Sequence, residues 1–189
     1  MDVLLSKYAM VLQKLYWFAY IQMLWLLFTL SGLVILGIFP ATYALLTVVR
    51  ESEELSSREV FYKFKRLFVS SFKSINKTGL LWQLMLLLLA SNLLIIPAES
   101  VFVRTAVVVV LGLTILGVVH FIQYFEVDKA SVFQIRRAFS FVFLQPRKNV
   151  GYMMIFVLLV VAIRFFPGIS FFYVISSSAY MVAKVGKFE

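Results

Sequence analysis

The stretch YWFAYIQMLWLLFTLSGLVILGI, residues 16–38, runs for 23 residues without a charged side chain. The hydrocarbon core of a bilayer is about 30 Å thick, and a helix that rises about 1.5 Å per residue needs about 20 apolar residues to cross it. This stretch is long enough to do so. It also exceeds the apolar part of a cleavable signal peptide, about 7–15 residues, so we expect a retained membrane helix.

Similar apolar runs follow along the chain of 189 residues, of which 62% are hydrophobic and 14% charged. A soluble domain is only about 45–50% apolar and about 25% charged. Residues 150–185 form a run nearly twice too long for one crossing, and Pro167-Gly168 divides it, because proline lacks a backbone donor and glycine readily forms turns. We therefore predict an all-α membrane protein with a single membrane domain over residues 1–189. Five spans are expected, at about residues 16–38, 79–96, 105–125, 150–166 and 168–185.

Basic residues indicate the orientation of these spans. The net charge is +9, but the cations flank the spans instead of covering a solvated domain, which argues against a nucleic-acid partner. Basic residues beside membrane spans usually determine the topology of the protein and contact anionic lipids. The connections at residues 41–78 and 126–149 carry seven and five basic residues, so the positive-inside rule predicts that both are cytoplasmic. With five spans in the cell membrane, we expect the N-terminus outside and the C-terminus in the cytoplasm.

Both basic connections contain an amphipathic pattern. Ser56-Ser57-Arg58-Glu59 is typical of a capping box at a helix start, and phenylalanines follow it at helical spacing. We expect basic amphipathic helices at about residues 57–77 and 130–144. Each is predicted to lie in the inner membrane interface, with its aromatic face towards the membrane and its basic face towards headgroups or a partner.

The two connections align at an offset of 71 residues, which pairs Lys65-Arg66 with Arg136-Arg137 and Lys77 with Lys148. One interpretation is a parallel internal repeat of span, interfacial helix and span. The other is that two basic amphipathic helices align by chance. The candidate residues for binding a partner or lipid headgroups are Arg50, Lys65, Arg66, Arg136 and Arg137.

Gly37 and Pro40 are predicted to break the first span near its inner end. Proline is disfavoured inside a helix and restricts the residue before it, so we expect the helix to end or kink at Phe39. The chain is then expected to turn and lie along the interface.

Three polar residues stand out in or near the spans: Asn92, His120 and Arg164. Ionisable groups inside a membrane are costly and are candidates for function. His120 is interpreted either as a proton-relay or ligand contact, or as an imidazole hydrogen-bonded to a neighbouring helix or water. Arg164 is expected to snorkel outward at the end of its span.

The sequence offers no pattern typical of an enzyme. Its single histidine and lack of cysteine argue against a metal site, and we expect no cofactor. General acid–base catalysis by paired carboxylates needs two positioned titrating groups, and no span has Asp or Glu at its centre. Nucleotide-binding loops and nucleophile elbows are not found.

Two segments of the chain carry a family resemblance. They are residues 24–50, with Trp25, the Gly37-Ile-Phe-Pro-Ala-Thr turn and Arg50, and the phenylalanine-rich basic segment at residues 61–72. Together they resemble the YesL-like family of small bacterial membrane proteins of unknown function. Members are typically encoded beside carbohydrate ABC importers and glycan-degrading enzymes. The resemblance therefore implies an accessory role in oligosaccharide uptake, and it supplies no catalytic residues.

We accordingly expect a non-enzymatic membrane accessory subunit of a carbohydrate ABC-type importer, with sugar ABC permeases and membrane lipids as partners. The cytoplasmic loop typical of the permeases themselves is not recognisable. Two alternatives stay open, a small independent transporter or channel and a lipid-binding membrane scaffold.

Overall fold

The computed structural model describes the backbone of residues 2–51 and 56–187, and the side chains of residues 8–51 and 56–186. Within these ranges all the regular structure is helical, and five helices are long and apolar enough to span a membrane, namely α1 (from Tyr8), α3, α4, α6 and α7. This confirms the predicted fold class. The helices are α1 (Asp2–Ser31), α2 (Ile38–Glu51), α3 (Ser57–Ile95), α4 (Val101–Gln123), α5 (Ser131–Leu144), α6 (Pro146–Phe165) and α7 (Pro167–Lys187).

The first span ends earlier than predicted. α1 stops at Ser31, and a turn over residues 32–37 leads into α2. The prediction that the helix ends at Phe39 is therefore wrong, because Phe39 and Pro40 lie in the first turn of α2, where the amide that proline lacks would have no helical partner.

The turn brings its own backbone into close contact. A Cβ added to Gly37 would overlap the carbonyl oxygen of Thr29 and lie 2.8 Å from Thr29 Cα. Leu33 and Val34 have positive φ angles of 56° and 63°. Such angles are uncommon for residues other than glycine, and most of all for a β-branched residue such as Val34. Gly37 was predicted to break the first span, and the structure shows why glycine is needed there: a side chain would collide with the backbone of Thr29.

α2 forms the centre of the core. Ala41, Ala44, Leu45 and Val48 are fully buried, and the helix packs against α1, α3, α4 and α7. The segment expected to lie along the membrane interface is therefore enclosed by protein.

α2 runs antiparallel to the first half of α3. An ion pair of 3.0 Å joins Glu51, at the end of α2, to Lys63 near the start of α3. At the other end of α2, Phe39 packs against Gly79, where a Cβ would lie 2.8 Å from the phenylalanine ring.

α3 joins the first predicted interfacial helix to the second span without a break. The predicted capping box is present, with Ser56 N–H donating to Glu59 Oε2 at 3.0 Å and Glu59 N–H donating to Ser56 Oγ at 3.4 Å. The aromatic face is buried, and the rings of Phe64 and Phe68 pack against Phe28 of α1 with centroid distances of 5.1 and 5.0 Å. This face therefore points into the protein instead of into the membrane.

The second predicted interfacial helix, α5, is separated from α6 by Gln145. Its buried residues are Gln134, Ala138 and Val142, whereas Val132 and Phe143, two apolar residues of this helix, are exposed. No helix corresponding to α2 occurs between α4 and α5. The parallel repeat stays a prediction, and these differences distinguish its two proposed halves.

The remaining helices pack as antiparallel neighbours. Phe18 of α1 meets Tyr180 of α7 at 5.4 Å, and Gly151 of α6 lies against Val185 of α7. Trp82 of α3 is buried over Gly117 of α4, where a Cβ would lie 2.8 Å from the indole.

Candidate functional site: exposed cations and polar contacts between helices

Arg50 and Arg137 both bind the C-terminal end of α4. Arg50 Nη1 donates to the carbonyl of Gln123 at 3.0 Å, and Arg137 Nη2 donates to the carbonyl of Tyr124. The last carbonyls of a helix lack intrahelical partners and carry partial negative charge, so they favour cations. These two candidate residues thus hold α2 and α5 on the end of α4.

Glu126 adds an ion pair to this cluster. Its Oε1 accepts from Arg137 Nη1, in the connection between α4 and α5. The pKa of the Glu126 carboxyl is lowered from its ordinary value of 4.5, mainly by this hydrogen bond and further by the positive charges of Arg137 and Lys129. Arg137 is therefore a clamp between two helices.

Lys65 and Arg66 are placed differently, on the exposed side of α3. Tyr62 and Val69 lie beside them with 57% and 64% of their surfaces exposed. Among the residues that the structure describes, no carboxylate is within ion-pair distance of Lys65 or Arg66. We call the exposed cations of this helix the α3 basic face, which comprises Arg58, Lys65, Arg66, Lys73 and Lys77.

The aligned residues of α5 and α6 have partly different environments. Arg136 is exposed like Lys65, but Arg137 is bound to α4 where its counterpart Arg66 faces outward. Lys148 Nζ donates to the carbonyl of Gly186 at 3.2 Å and to the Tyr124 hydroxyl at 3.4 Å. Aligned positions therefore do not share one role.

His120 is fully buried and forms a hydrogen bond to α6. Its Nε2 lies 2.8 Å from Asn149 Oδ1, and Asn149 Nδ2 donates to the carbonyl of Val142. Because the Asn149 amide donates to Val142, its oxygen is free to accept, which assigns the proton of His120 to Nε2. The contact corresponds to the second interpretation of His120, a hydrogen bond to a neighbouring helix.

Among the described residues, no hydrogen bond connects Asn92 or Arg164 to His120. Asn92 is exposed on α3, and its Nδ2 donates to the carbonyl of Leu88 in the same helix at 2.7 Å. Arg164 is exposed in the last turn of α6, a favourable place for a cation.

Buried amide side chains were missed by the sequence analysis. Gln22 of α1 donates to the carbonyl of Phe171 at 3.1 Å and accepts from the amide of Ser176 at 2.8 Å, which links α1 to α7. Gln22 is an amide inside the apolar stretch of residues 16–38, and this position could have indicated a buried polar contact between helices. Its partners lie about 150 residues further along the chain, so only the fold could reveal them.

The turn between α1 and α2 depends on two further amides. Asn76 and Gln83 of α3 donate to the carbonyls of Leu36 and Ile35 at 2.8 and 2.7 Å. Irregular backbone at membrane depth requires such partners, because lipid supplies none.

Chemically, these arrangements bind and position groups. In the part of the chain that the structure describes, no three His, Cys, Asp or Glu side chains form a group that could hold a metal ion. The available interactions are charge, hydrogen bonding and apolar contact.

Comparison with known proteins gives two matches. Residues 18–93 match the family described as "Protein of unknown function, DUF624". The "Uncharacterized protein YesL" of Bacillus subtilis (strain 168) is 41% identical over 64 residues, which cover 33% of this chain and 31% of that protein. The chain thus spans about a third of the length of the curated relative that it matches. No solved structure matches the chain. The family match extends from α1 to the last part of α3, and it confirms the predicted resemblance to the YesL-like DUF624 family.

Proposed function

We propose that this chain is a non-enzymatic membrane subunit that associates with a carbohydrate ABC-type importer through the α3 basic face. The observation that carries the proposal is an exposed row of cations on a helix whose opposite face is buried in the core. The importer is the partner that the family resemblance implies.

The α3 basic face is rigidly supported. Val60 and Phe64 are fully buried beneath it, and the capping box fixes the start of the helix. Cations held on such a support lose less conformational freedom when they bind a partner, which favours association.

Two residues on this side of α3, Tyr62 and Arg66, favour a protein partner. Tyr62 and Val69 lie between the cations, and tyrosine and arginine are enriched in protein interfaces. A lipid headgroup needs only positive charge, whereas the planar Arg66 side chain can bind a carboxylate with two parallel hydrogen bonds. We therefore propose an acidic cytoplasmic segment of the importer permeases as the docking site.

Replacement of arginine by lysine tests this proposal. Arg58→Lys and Arg66→Lys, the two arginines of the α3 basic face, keep the charge and should preserve topology, but they remove the planar fork. We expect co-purification of the permeases with the tagged chain in mild detergent to fall about tenfold, a loss of about 1.4 kcal/mol. The matched control is Arg164→Lys, also exposed but in the last turn of α6, which should leave association unchanged.

Two outcomes would contradict the proposal. If association is unchanged in the double replacement, docking through the arginine fork is wrong. If the wild-type chain always purifies without permeases but binds vesicles of anionic lipid through the α3 basic face, the lipid-binding scaffold is the better interpretation. Arg137→Lys is unsuitable for this test, because Arg137 binds the end of α4.

A further inference from the structure

A cavity of about 260 Å³ lies between α4, α6 and α7, with α2 at its base. Leu116, Ile155 and Ala179 are buried in its wall. Met153 and Phe156, which also line it, are 46% and 44% exposed, so the cavity opens on the outer surface of the helix bundle. That surface faces lipid when these helices span a membrane.

The length of the cavity corresponds to one leaflet of a bilayer. Along α4 its wall extends from Gly112, the midpoint of the helix, to Ile122, next to the helix end. Ten residues of helix rise about 15 Å, which is half of the hydrocarbon thickness of about 30 Å. An acyl chain anchored at the membrane interface reaches the same distance.

Cations lie at the interfacial end of this cavity. Arg50 follows the lining residue Leu46 by about one helical turn and binds the carbonyl of Gln123, the residue after Ile122. Lys148 binds the carbonyl of Gly186, one turn after the lining residue Val182. No carboxylate among the described residues is within ion-pair distance of Arg50 or Lys148.

We propose that this cavity binds one acyl chain of an anionic phospholipid whose phosphate contacts Arg50 and Lys148. The polar lining groups are few, Thr42, Tyr152 and Ser178, and the Thr42 hydroxyl already donates to Ile38 and accepts from Trp25. A sugar would need many more hydrogen-bonding partners, whereas an acyl chain needs apolar walls. The site is separate from the α3 basic face and does not depend on the proposed docking.

Filling the cavity tests the acyl-chain part of the proposal. A Cβ on Gly112 would meet only Met153 Cε at 3.8 Å, so Gly112→Leu should enter the cavity without a backbone clash. We expect the purified variant to retain about tenfold less phosphatidylglycerol after delipidation and exposure to a defined lipid mixture, measured by native mass spectrometry. Unchanged retention in a folded Gly112→Leu protein would overturn the proposal.

Charge selectivity tests the headgroup part. Lys148→Gln keeps a donor for Gly186 but removes the charge, and should reduce the preference for phosphatidylglycerol over phosphatidylcholine about fivefold. The control Lys77→Gln changes the aligned, exposed residue of α3 and should leave this preference unchanged. An equal loss in both variants would indicate general surface charge and contradict the site.

A third measurement keeps the proposal testable if Gly112→Leu does not fold. Wild-type protein is titrated with phosphatidylglycerols of decreasing chain length and with glycerol phosphate alone. Affinity should fall with each shortening, and glycerol phosphate should not compete. Binding that is independent of chain length would place recognition in the headgroup alone and overturn the acyl-chain site.

Discussion

Asn149 stabilises the point at which α5 ends and α6 begins. In a continuous helix the amide of residue 146 would donate to the carbonyl of Val142, but Pro146 has no amide hydrogen. Asn149 Nδ2 donates to that carbonyl instead, and Asn149 Oδ1 binds His120. One side chain thus satisfies the helix break and links it to α4.

A double-mutant cycle tests this link. Asn149→Leu leaves the buried Nε2–H of His120 without its acceptor, and we expect it to lower the free energy of unfolding by about 1–3 kcal/mol. His120→Phe removes the imidazole and should make the second replacement less costly. The measurement is unfolding of the single and double variants in detergent, with an expected coupling of about 1 kcal/mol. Strictly additive effects would contradict the hydrogen bond.

Gly37 gives a second prediction for a single residue. Gly37→Ala places a methyl group against the backbone of Thr29, which cannot move away as a flexible side chain could. We expect destabilisation of about 2–3 kcal/mol in thermal or denaturant unfolding. The control is Gly168→Ala, where no atom lies within 4 Å of the new methyl and the helix of α7 should gain up to about 1 kcal/mol. Equal stability of the two variants would be inconsistent with the tight turn.

For whole elements, local patterns were predictable and distant contacts were not. The capping box at Ser56 was predicted because its partners are three residues apart. The continuity of α3 was missed because the amphipathic pattern up to residue 77 and the apolar run from residue 79 were predicted as separate elements, although no residue between them prevents a helix. The equivalent stretch does break, at Pro146.

The candidate site was predictable only as a set of cations. Sequence identifies Arg50, Arg66 and Arg137 as basic residues beside spans, but it does not show which of them fold back on the protein. Arg50 and Arg137 find carbonyls at the end of α4, a contact that depends on how α2 and α5 pack. Arg66 stays exposed because Phe64 and Phe68 fix the opposite face of α3.

The clamp between α4 and α5 should depend on pH. Since the pKa of Glu126 is lower in the folded protein than its ordinary value of 4.5, the ion pair with Arg137 contributes fully above that value. The contribution is lost as the pH falls through the lowered pKa. We expect wild-type protein to be more stable than Glu126→Gln at pH 7, and the two unfolding curves to converge at acid pH. A difference that persists unchanged in acid would rule out this linkage.

At the scale of the whole molecule, five candidate spans and two basic connections define a proposed orientation. The cations at residues 41–78 and 126–149 include the α3 basic face and Arg136, while the connection between α3 and α4 has only Arg104 beside it. Arg50 and Arg137 are used inside the fold, but this does not weaken the argument, because topology responds to charge during insertion.

The chain contains no cysteine, so single introduced cysteines can report this orientation directly. We choose Val132→Cys at the exposed start of α5 and Glu99→Cys in the connection between α3 and α4. If the positive-inside assignment is right, a membrane-impermeant maleimide should label Glu99→Cys in intact cells. Val132→Cys should react only in inside-out vesicles or after permeabilisation.

Tyr8→Cys, exposed on α1, extends the test to the N-terminal side. Phe18 contacts Tyr180 and Gln22 binds Ser176, so α1 runs antiparallel to α7. The end of α7 lies at the end of α4, just before α5, because Gln123 binds the carbonyl of Val182. The start of α1 is therefore on the same side as Val132, which conflicts with the expectation that the two termini lie on opposite sides and agrees with the cations Lys7 and Lys14. Tyr8→Cys should thus react like Val132→Cys, only in inside-out vesicles or after permeabilisation. Labelling of Tyr8→Cys in intact cells together with Glu99→Cys would contradict this packing of α1 against α7.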